Sequence, residues 1–245
     1  MIAPKRIVLG RQDVHVWRAV LDVAADTRAR LERLLSGDEL QRAACFHRSQ
    51  DRERFILARA FLRDALSAYV QTEPADLQFA VTPAGKPRLR GRGAGTPVQF
   101  NLSHSDAIAL LAITADRPVG IDIERVRRDI EHDAIVRQFF SPTECREYFR
   151  LGDEERPSAF ARLWTRKEAY LKALGEGMGK PLDSFAVPMA PGAAAESAAF
   201  LAEPDADGEW IVFGIDAPPG YEAALATRGQ LPRLFSWTWQ PDTPA

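Results

Sequence analysis

The sequence has no apolar run approaching the roughly 20 residues that a membrane-spanning helix needs. Its first residues, MIAPKRIVLGRQ, include no long apolar stretch of the kind found in secretion signals. We therefore expect a cytoplasmic protein that does not enter a membrane. Cysteine is also scarce, and Cys45 and Cys145 stand far apart, without CxxC spacing or neighbouring histidines. This pattern excludes a disulfide framework and a cysteine-based zinc site, so we expect two buried thiols.

Neither sign of charge dominates, because 32 Lys and Arg stand against 34 Asp and Glu, for a net charge of −2. That balance argues against a general nucleic-acid binder. The charge is nevertheless uneven: residues 1–118 carry 18 basic and 13 acidic side chains, and residues 119–245 carry 14 and 21. One interpretation is a basic half that meets a phosphate-bearing ligand and an acidic half that holds a cation. The other is drift in surface composition.

The length of 245 residues allows one large domain or two units of roughly 100–130 residues each. Apolar spacing predicts helices at about 27–40, 51–70 and 163–177. Strands are expected at 14–21, in two pieces of 98–114, in VGIDIERV and in three segments after residue 208. RAFLR (59–63) resembles EAYLK (168–172), and this weak internal repeat favours two similar halves.

Two acids stand in an otherwise apolar strand, GIDIE (120–124). Because side chains alternate along a strand, Asp122 and Glu124 share one face, and the isoleucines share the other. At ~5–6 Å and an effective dielectric near 20, the two carboxylates would repel by about 3 kcal/mol. A magnesium ion, or manganese in its place, would offset this repulsion. The alternative is a wet face of an edge strand, or one paired with Arg125, Arg127 and Arg128.

The predicted helix WTRKEAYLKALGEG (164–177) places Glu168 and Lys172 four positions apart on one face, with Trp164 one turn before Glu168. One interpretation is a surface ion pair worth roughly 0.3–0.5 kcal/mol. The other joins this third carboxylate and its lysine to the two strand acids. Together they would then hold a metal-bound diphosphate.

NLSHS (101–105) places Ser103 next to His104, but neighbours on a strand face opposite ways and cannot pair as nucleophile and base. A lone strand histidine is more often a core residue. Here it follows a loop that carries four cations and no acid, so a phosphate contact is the second interpretation. The four are Lys86, Arg88, Arg90 and Arg92.

Five motifs, GKP (85–87), NLSHS, GIDIE, FSPTE (140–144) and WTRKEAYLKALGEG, occur in this order over most of the chain. Together with FHRSQDRERFILARAFLR (46–63), they resemble the surfactin-type 4'-phosphopantetheinyl transferases. The resemblance implies an α/β (α+β) fold of two similar halves, 1–118 and 119–245, related by a pseudo-twofold axis. Each half is expected to be a small, mostly antiparallel sheet with a long helix packed on it, and coenzyme A would bind between them.

The resemblance also implies an activity: transfer of the phosphopantetheine arm of coenzyme A to a serine of an apo acyl or peptidyl carrier protein, with release of adenosine 3',5'-bisphosphate. Asp122, Glu124 and Glu168 match the family's magnesium ligands, and Glu168 also matches a group that helps to deprotonate the serine. Lys172 matches the lysine beside the diphosphate. The remaining matches are to coenzyme A contacts: Arg54, Lys86, Pro87, Ser103 and His104.

Two positions depart from a simple match. The family often has basic residues at the places of both Glu39 and Arg42, and only Arg42 is basic here, which puts phosphate contacts from this segment in doubt. Glu144 matches a conspicuous acid of the family. It also stands three residues after Ser141, where a capping box supplies a structural reason for it. Capping is preferred to catalysis.

The carrier is expected to dock beside the helix end at Leu174 and a loop through Met178, Leu182 and Phe185, although these residues also suit a core. A monomer is expected by analogy with the family. Two other functions remain open: a magnesium-dependent hydrolase of the coenzyme A diphosphate, and a non-catalytic module that binds coenzyme A or a carrier.

Overall fold

The structure is a computed structural model that describes residues 7–83, 85–91, 97–175, 179–192, 199–201 and 209–241. The helices of these residues are α1 Ala25–Glu32, α2 Gly37–Ala44, α3 Ser49–Val70, α4 His132–Phe139, α5 Pro142–Tyr148 and α6 Arg156–Leu174. The strands are β1 Asp13–Val20, β2 Gln78–Val81, β3 Pro87–Arg90, β4 Val98–Ser105, β5 Ile108–Ala115, β6 Val119–Arg125, β7 Ala199–Leu201, β8 Trp210–Ile215, β9 Tyr221–Arg228 and β10 Arg233–Thr238.

The chain divides into two compact units. The first comprises the described residues up to Val81, those from Pro87 to Asp116 and those from Arg233 onward. The second comprises Thr82–Lys86 and Arg117–Pro232. The C-terminal strand β10 therefore belongs with the N-terminal residues, whereas the sequence places it in the half 119–245.

The first unit is built on a sheet with the strand order β10-β1-β5-β4, in which β1 and β10 run parallel and the other pairs are antiparallel. Helix α3 packs on this sheet through the apolar stripe that the sequence predicts. Ala58, Leu62, Ala65 and Leu66 are buried, and Phe55 is partly buried against them. The strands β2 and β3 form a separate antiparallel pair.

The single helix expected at 27–40 is two helices, α1 and α2, so that prediction is wrong. The chain starts a new helix after Ser36, whose main-chain N–H donates to the Glu39 carboxylate at 3.0 Å. A carboxylate three residues after the cap satisfies an N–H that lacks a helical partner, and this favours a fresh start over continuation.

The second unit is built on an antiparallel sheet with the order β6-β9-β8-β7, and α6 lies across β6 and β9. Small residues line this contact: Gly120 on β6, Ala224 and Ala226 on β9, and Ala169 and Ala173 on α6. Small side chains allow a helix to approach a sheet closely. The expected class, an α+β fold with small, mostly antiparallel sheets and a long helix on each, is confirmed.

The cysteines differ from expectation. Cys45 is exposed and Cys145 is only partly buried. Cys45 follows the last residue of α2, where its Sγ donates to Gln41 O, and the prediction of a buried thiol is wrong for it. In the part of the chain that the structure describes, no helix is long and apolar enough to cross a membrane.

Candidate functional site

The acid-bearing face of β6 lies under α6. A Cβ added to Gly120 would meet the main chain of α6, and Asp122, two residues on, points to the same side of the strand. Asp122 is only 2% exposed, while Glu124 is half-buried. Asp122 is therefore not on a solvent-exposed face of the strand, which was one of the two interpretations of GIDIE.

Lys172 from α6 supplies the positive charge beside Asp122. Its Nζ donates to Asp122 Oδ1 at 2.6 Å. Arg127 and Arg128, two of the three alternative partners, pair with Asp129 and Glu154. A short charge-assisted bond between a buried carboxylate and an ammonium is stronger than a neutral one. The β6 strand and α6 are thus joined by an ion pair at the predicted site.

Glu168 stands one helical turn before Lys172 on α6. Burial raises the pKa of the Glu168 carboxyl, the nearby Lys172 opposes this rise, and Asp122 adds to it by repulsion. The structure therefore brings Asp122, Glu168 and Lys172 into one electrostatic group. A carboxyl with a raised pKa in such surroundings is typical of functional sites.

The three predicted metal ligands are not assembled as a ligand set. Within the described ranges, no group of three or more His, Cys, Asp and Glu side chains is arranged so that it could hold a metal ion. The ammonium of Lys172 lies against Asp122. The donor chemistry nevertheless fits a hard divalent cation, because magnesium prefers carboxylate oxygens and because Asp122 and Glu168 repel each other.

Lys86, predicted to contact a nucleotide, binds main-chain carbonyls of the second unit. Its Nζ donates to Val119 O at 3.0 Å and to Lys172 O at 2.7 Å. The first carbonyl begins β6, and the second belongs to the last turn of α6. Lys86 therefore lies at the junction of the two elements that carry Asp122 and Lys172.

The other predicted coenzyme A contacts lie in the first unit. On β4, Ser103 is buried and His104 is exposed, so the predicted alternation is confirmed. Arg54 of α3 pairs with Asp106 at 3.3 Å in the turn that follows β4. Pro87 is the first residue of β3. Arg88 and Arg90 are exposed on β3, and Arg92 lies outside the described residues.

The departure at Glu39 has a structural explanation. Its carboxylate accepts from Arg59 Nε at 2.6 Å and from Arg63 Nε at 2.7 Å. Burial raises the pKa of Glu39, but the two arginines and the main-chain N–H of Ser36 together bring the pKa below its usual value. Arg42 lies over the ring of Phe55, with its Cζ 5.8 Å from the centroid. Glu39 thus stabilises α2 on α3 instead of offering a phosphate contact.

Glu144 is the centre of a buried network. It forms the predicted capping box with Ser141, and its Oε1 accepts from Val187 N at 2.9 Å. Its Oε2 pairs with Lys167 Nζ at 2.8 Å, and neither side chain is more than 1% exposed. Local spacing predicts the cap, but it contains no signal for the pairing with Lys167, which stands next to Glu168 in WTRKE. That Lys167 is buried beside the predicted site residues can be seen only in the structure.

The segment expected to receive the carrier is hydrogen-bonded to α6. Lys167 Nζ also donates to Leu182 O and Phe185 O, each at 2.6 Å. Phe185 is half-buried against Tyr170, with ring centroids 5.0 Å apart. Met178 lies outside the described residues. Trp164, the remaining predicted residue, stacks on Phe160 with centroids 5.8 Å apart.

In this α+β fold, a lysine and two acids meet between a strand and a helix, and this group is the candidate functional site. Two family models match the chain. One, for the 4'-phosphopantetheinyl transferase superfamily, covers residues 118–226, and the other, for the N-terminal part of 4'-phosphopantetheinyl transferases, covers residues 24–116.

Individual relatives agree with the family models. The chain is 35% identical over 238 residues to 4'-phosphopantetheinyl transferase HetI of Nostoc sp., covering 97% of this chain and 94% of that protein. It is 26% identical over 204 residues to 4'-phosphopantetheinyl transferase Sfp of Bacillus subtilis, covering 83% and 86%. It is 30% identical over 179 residues to 4'-phosphopantetheinyl transferase psf-1 of Bacillus pumilus, covering 73% and 72%. The chain belongs to the 4'-phosphopantetheinyl transferase superfamily, in its surfactin type, and is a transferase.

Proposed function

We propose that the protein is a holo-[acyl-carrier-protein] synthase type enzyme. It would transfer the 4'-phosphopantetheine arm of coenzyme A to a serine hydroxyl of an apo acyl or peptidyl carrier protein, in a magnesium-dependent reaction. The observation that carries the proposal is the ion pair between Lys172 and the buried Asp122 beside Glu168, in a chain of this family. An ammonium and carboxylates at one strand–helix crossing are suited to neutralising and positioning a diphosphate.

The proposed reaction is an in-line displacement. The serine oxygen of the carrier forms a bond to the phosphorus that bears pantetheine, and the bond from that phosphorus to the bridging oxygen breaks. The electron pair leaves with adenosine 3',5'-bisphosphate. Glu168, which stands one helical turn before Lys172 on α6, accepts the serine proton. Lys172 offsets the charge that develops on the leaving phosphate.

Asp122, Glu124 and Glu168 would hold the magnesium ion. When bound, the ion would supply charge neutralisation to the diphosphate. For this, Asp122 would have to share its carboxylate between the cation and Lys172, or release the lysine to the diphosphate. The residues proposed to contact coenzyme A in the half 1–118 are Arg54, Pro87, Ser103 and His104, with Arg42 as a further candidate.

Carrier mass is the direct test. The protein is mixed with coenzyme A, magnesium and apo acyl or peptidyl carriers, and each carrier's intact mass is measured. We expect a gain of one phosphopantetheine, loss of the reaction with EDTA, and its return with magnesium or manganese. A carrier whose acceptor serine is replaced by alanine is the control.

Other outcomes would identify another function. Release of free phosphopantetheine without a carrier would indicate a hydrolase, and coenzyme A binding without turnover in magnesium would indicate a binding module. We further propose a cytoplasmic monomer that acts on a carrier protein and on neither nucleic acid nor membrane. Light scattering of the purified protein at working concentration tests the monomer.

A further inference from the structure

Lys86 is presented by a tight turn. The turn between β2 and β3 is closed by bonds from Thr82 N to Lys86 O at 2.9 Å and from Lys86 N to Thr82 Oγ1 at 3.0 Å. Gly85 has a positive φ of 85°, a conformation that favours glycine. The main chain of Lys86 is therefore fixed at both its N–H and its carbonyl, and its side chain leaves the turn from a defined position.

The ammonium of Lys86 caps the C-terminal end of α6. The last carbonyls of a helix lack helical partners and carry partial negative charge, so a cation there is favourable. Lys86 Nζ accordingly lies 2.7 Å from Lys172 O, and its stem passes Gly175, the residue that ends α6 with φ 74°. A Cβ at Gly175 would be 3.6 Å from Lys86 Cδ, which is ordinary contact.

The same ammonium also holds the start of β6, through Val119 O at 3.0 Å. Lys172 therefore makes two hydrogen bonds at this crossing: its carbonyl accepts from Lys86, and its own ammonium donates to Asp122 at 2.6 Å. Val119 begins the strand that carries Asp122 three residues later. One cation thus connects the two backbones at the crossing where the Asp122–Lys172 pair forms.

We propose that Lys86 is a positioning residue, which fixes the last turn of α6 against the start of β6 so that Lys172 and Asp122 are held together. This role differs from the nucleotide contact that the family resemblance implies for Lys86. It rests on the proposed function for its effect on turnover, but its effect on α6 and β6 is independent of that function.

Steady-state kinetics of Lys86→Met separate the two roles, since methionine keeps much of the stem and removes the charge. With a carrier, coenzyme A and magnesium, we expect kcat to fall about tenfold while the KM for coenzyme A stays within about twofold. Lys86→Arg, which retains a cationic donor, should recover part of the loss. Arg33→Met, which removes a cation from the end of α1, is the matched control and should behave as the unaltered protein.

Coenzyme A and 3'-dephospho-coenzyme A are then compared as substrates. A positioning role leaves the ratio of their kcat/KM values unchanged in Lys86→Met. A phosphate contact would raise the KM for coenzyme A and reduce that ratio, and this result would overturn the proposal. In a double-mutant cycle, adding Lys86→Met to Lys172→Met should lower kcat by less than about a further twofold, because Lys86 acts through Lys172.

Hydrogen exchange provides a readout that does not need turnover. In Lys86→Met the amides of the last turn of α6, including Gly175 N, which donates to Leu171 O at 3.1 Å, should exchange faster than in Arg33→Met. Equal exchange in both variants would refute the positioning role. If the unaltered protein modifies no carrier but the exchange difference is present, the proposed function fails and the positioning of α6 on β6 stands.

Discussion

Gly120 of β6 lies in direct backbone contact with Ala169 of α6: a Cβ on Gly120 would be 1.9 Å from Ala169 O and 2.5 Å from Ala173 N. Real Cβ atoms do not approach main-chain atoms this closely, and backbone cannot rotate away as a side chain can. Only glycine permits this approach, two residues before Asp122. The close crossing is what brings the acid of a strand within reach of a lysine on the helix.

Gly120→Ala should therefore separate β6 from α6. We expect the free energy of unfolding to fall by about 3 kcal/mol, the upper part of the usual range for overpacking. Urea unfolding followed by circular dichroism measures the change. Gly37→Ala, where a Cβ would meet nothing within 4 Å, is the matched control and should be neutral or slightly stabilising. Equal effects at the two glycines would contradict the close crossing.

Glu168→Gln should separate catalysis from stability. Because burial and Asp122 raise the pKa of Glu168, its charged form is disfavoured in the fold, and a neutral isostere should leave the melting temperature unchanged or higher. Carrier modification should fall at least about a hundredfold, since the proton acceptor is lost. Intact-mass kinetics and thermal unfolding measure the two effects. Near-normal transfer would remove Glu168 from the proposed mechanism.

Local sequence patterns predict much of the site, but they do not predict contacts between segments that are far apart in the sequence. Alternation along β6 correctly places Asp122 and Glu124 on one face, but it cannot show that α6, which begins only at Arg156, covers that face. Helical spacing related Glu168 to Lys172, but it could not show that Lys172 reaches Asp122. Pairings of this kind depend on tertiary packing, which no local pattern contains.

Two further features illustrate the same limit. The segment LFSWTWQ was predicted to be a strand, and β10 confirms it, yet its parallel pairing with β1 joins opposite ends of the chain and has no local signal. In contrast, the break between α1 and α2 has a local signal, because Ser36 and Glu39 form the same capping pattern as Ser141 and Glu144.

Glu144 and Lys167 form a buried ion pair, and we expect the removal of either partner alone to destabilise the fold strongly. Burial lowers the pKa of Lys167, and Glu144 opposes that change. Because either substitution alone leaves an uncompensated buried charge, Glu144→Gln or Lys167→Met should each lower the free energy of unfolding by about 3–5 kcal/mol. Denaturant unfolding measures both. The double variant should recover more than half of the larger loss, and simple additivity would show that the two groups are not coupled.

His15 should make stability depend on pH. Burial lowers its pKa to about 4, with Asp13 opposing the shift, and its Nδ1 lies 2.9 Å from the Tyr69 hydroxyl, which accepts from Trp17. The unfolded state binds this proton near pH 6.5 and the folded state does not, so stability is fully present above that pH and is lost as pH falls toward 4. Between pH 7 and 5 the loss should be about 2 kcal/mol in urea unfolding. His15→Gln, which cannot titrate, should show a shallower dependence by about that amount, and equal slopes for the two proteins would mean that His15 is protonated in the fold.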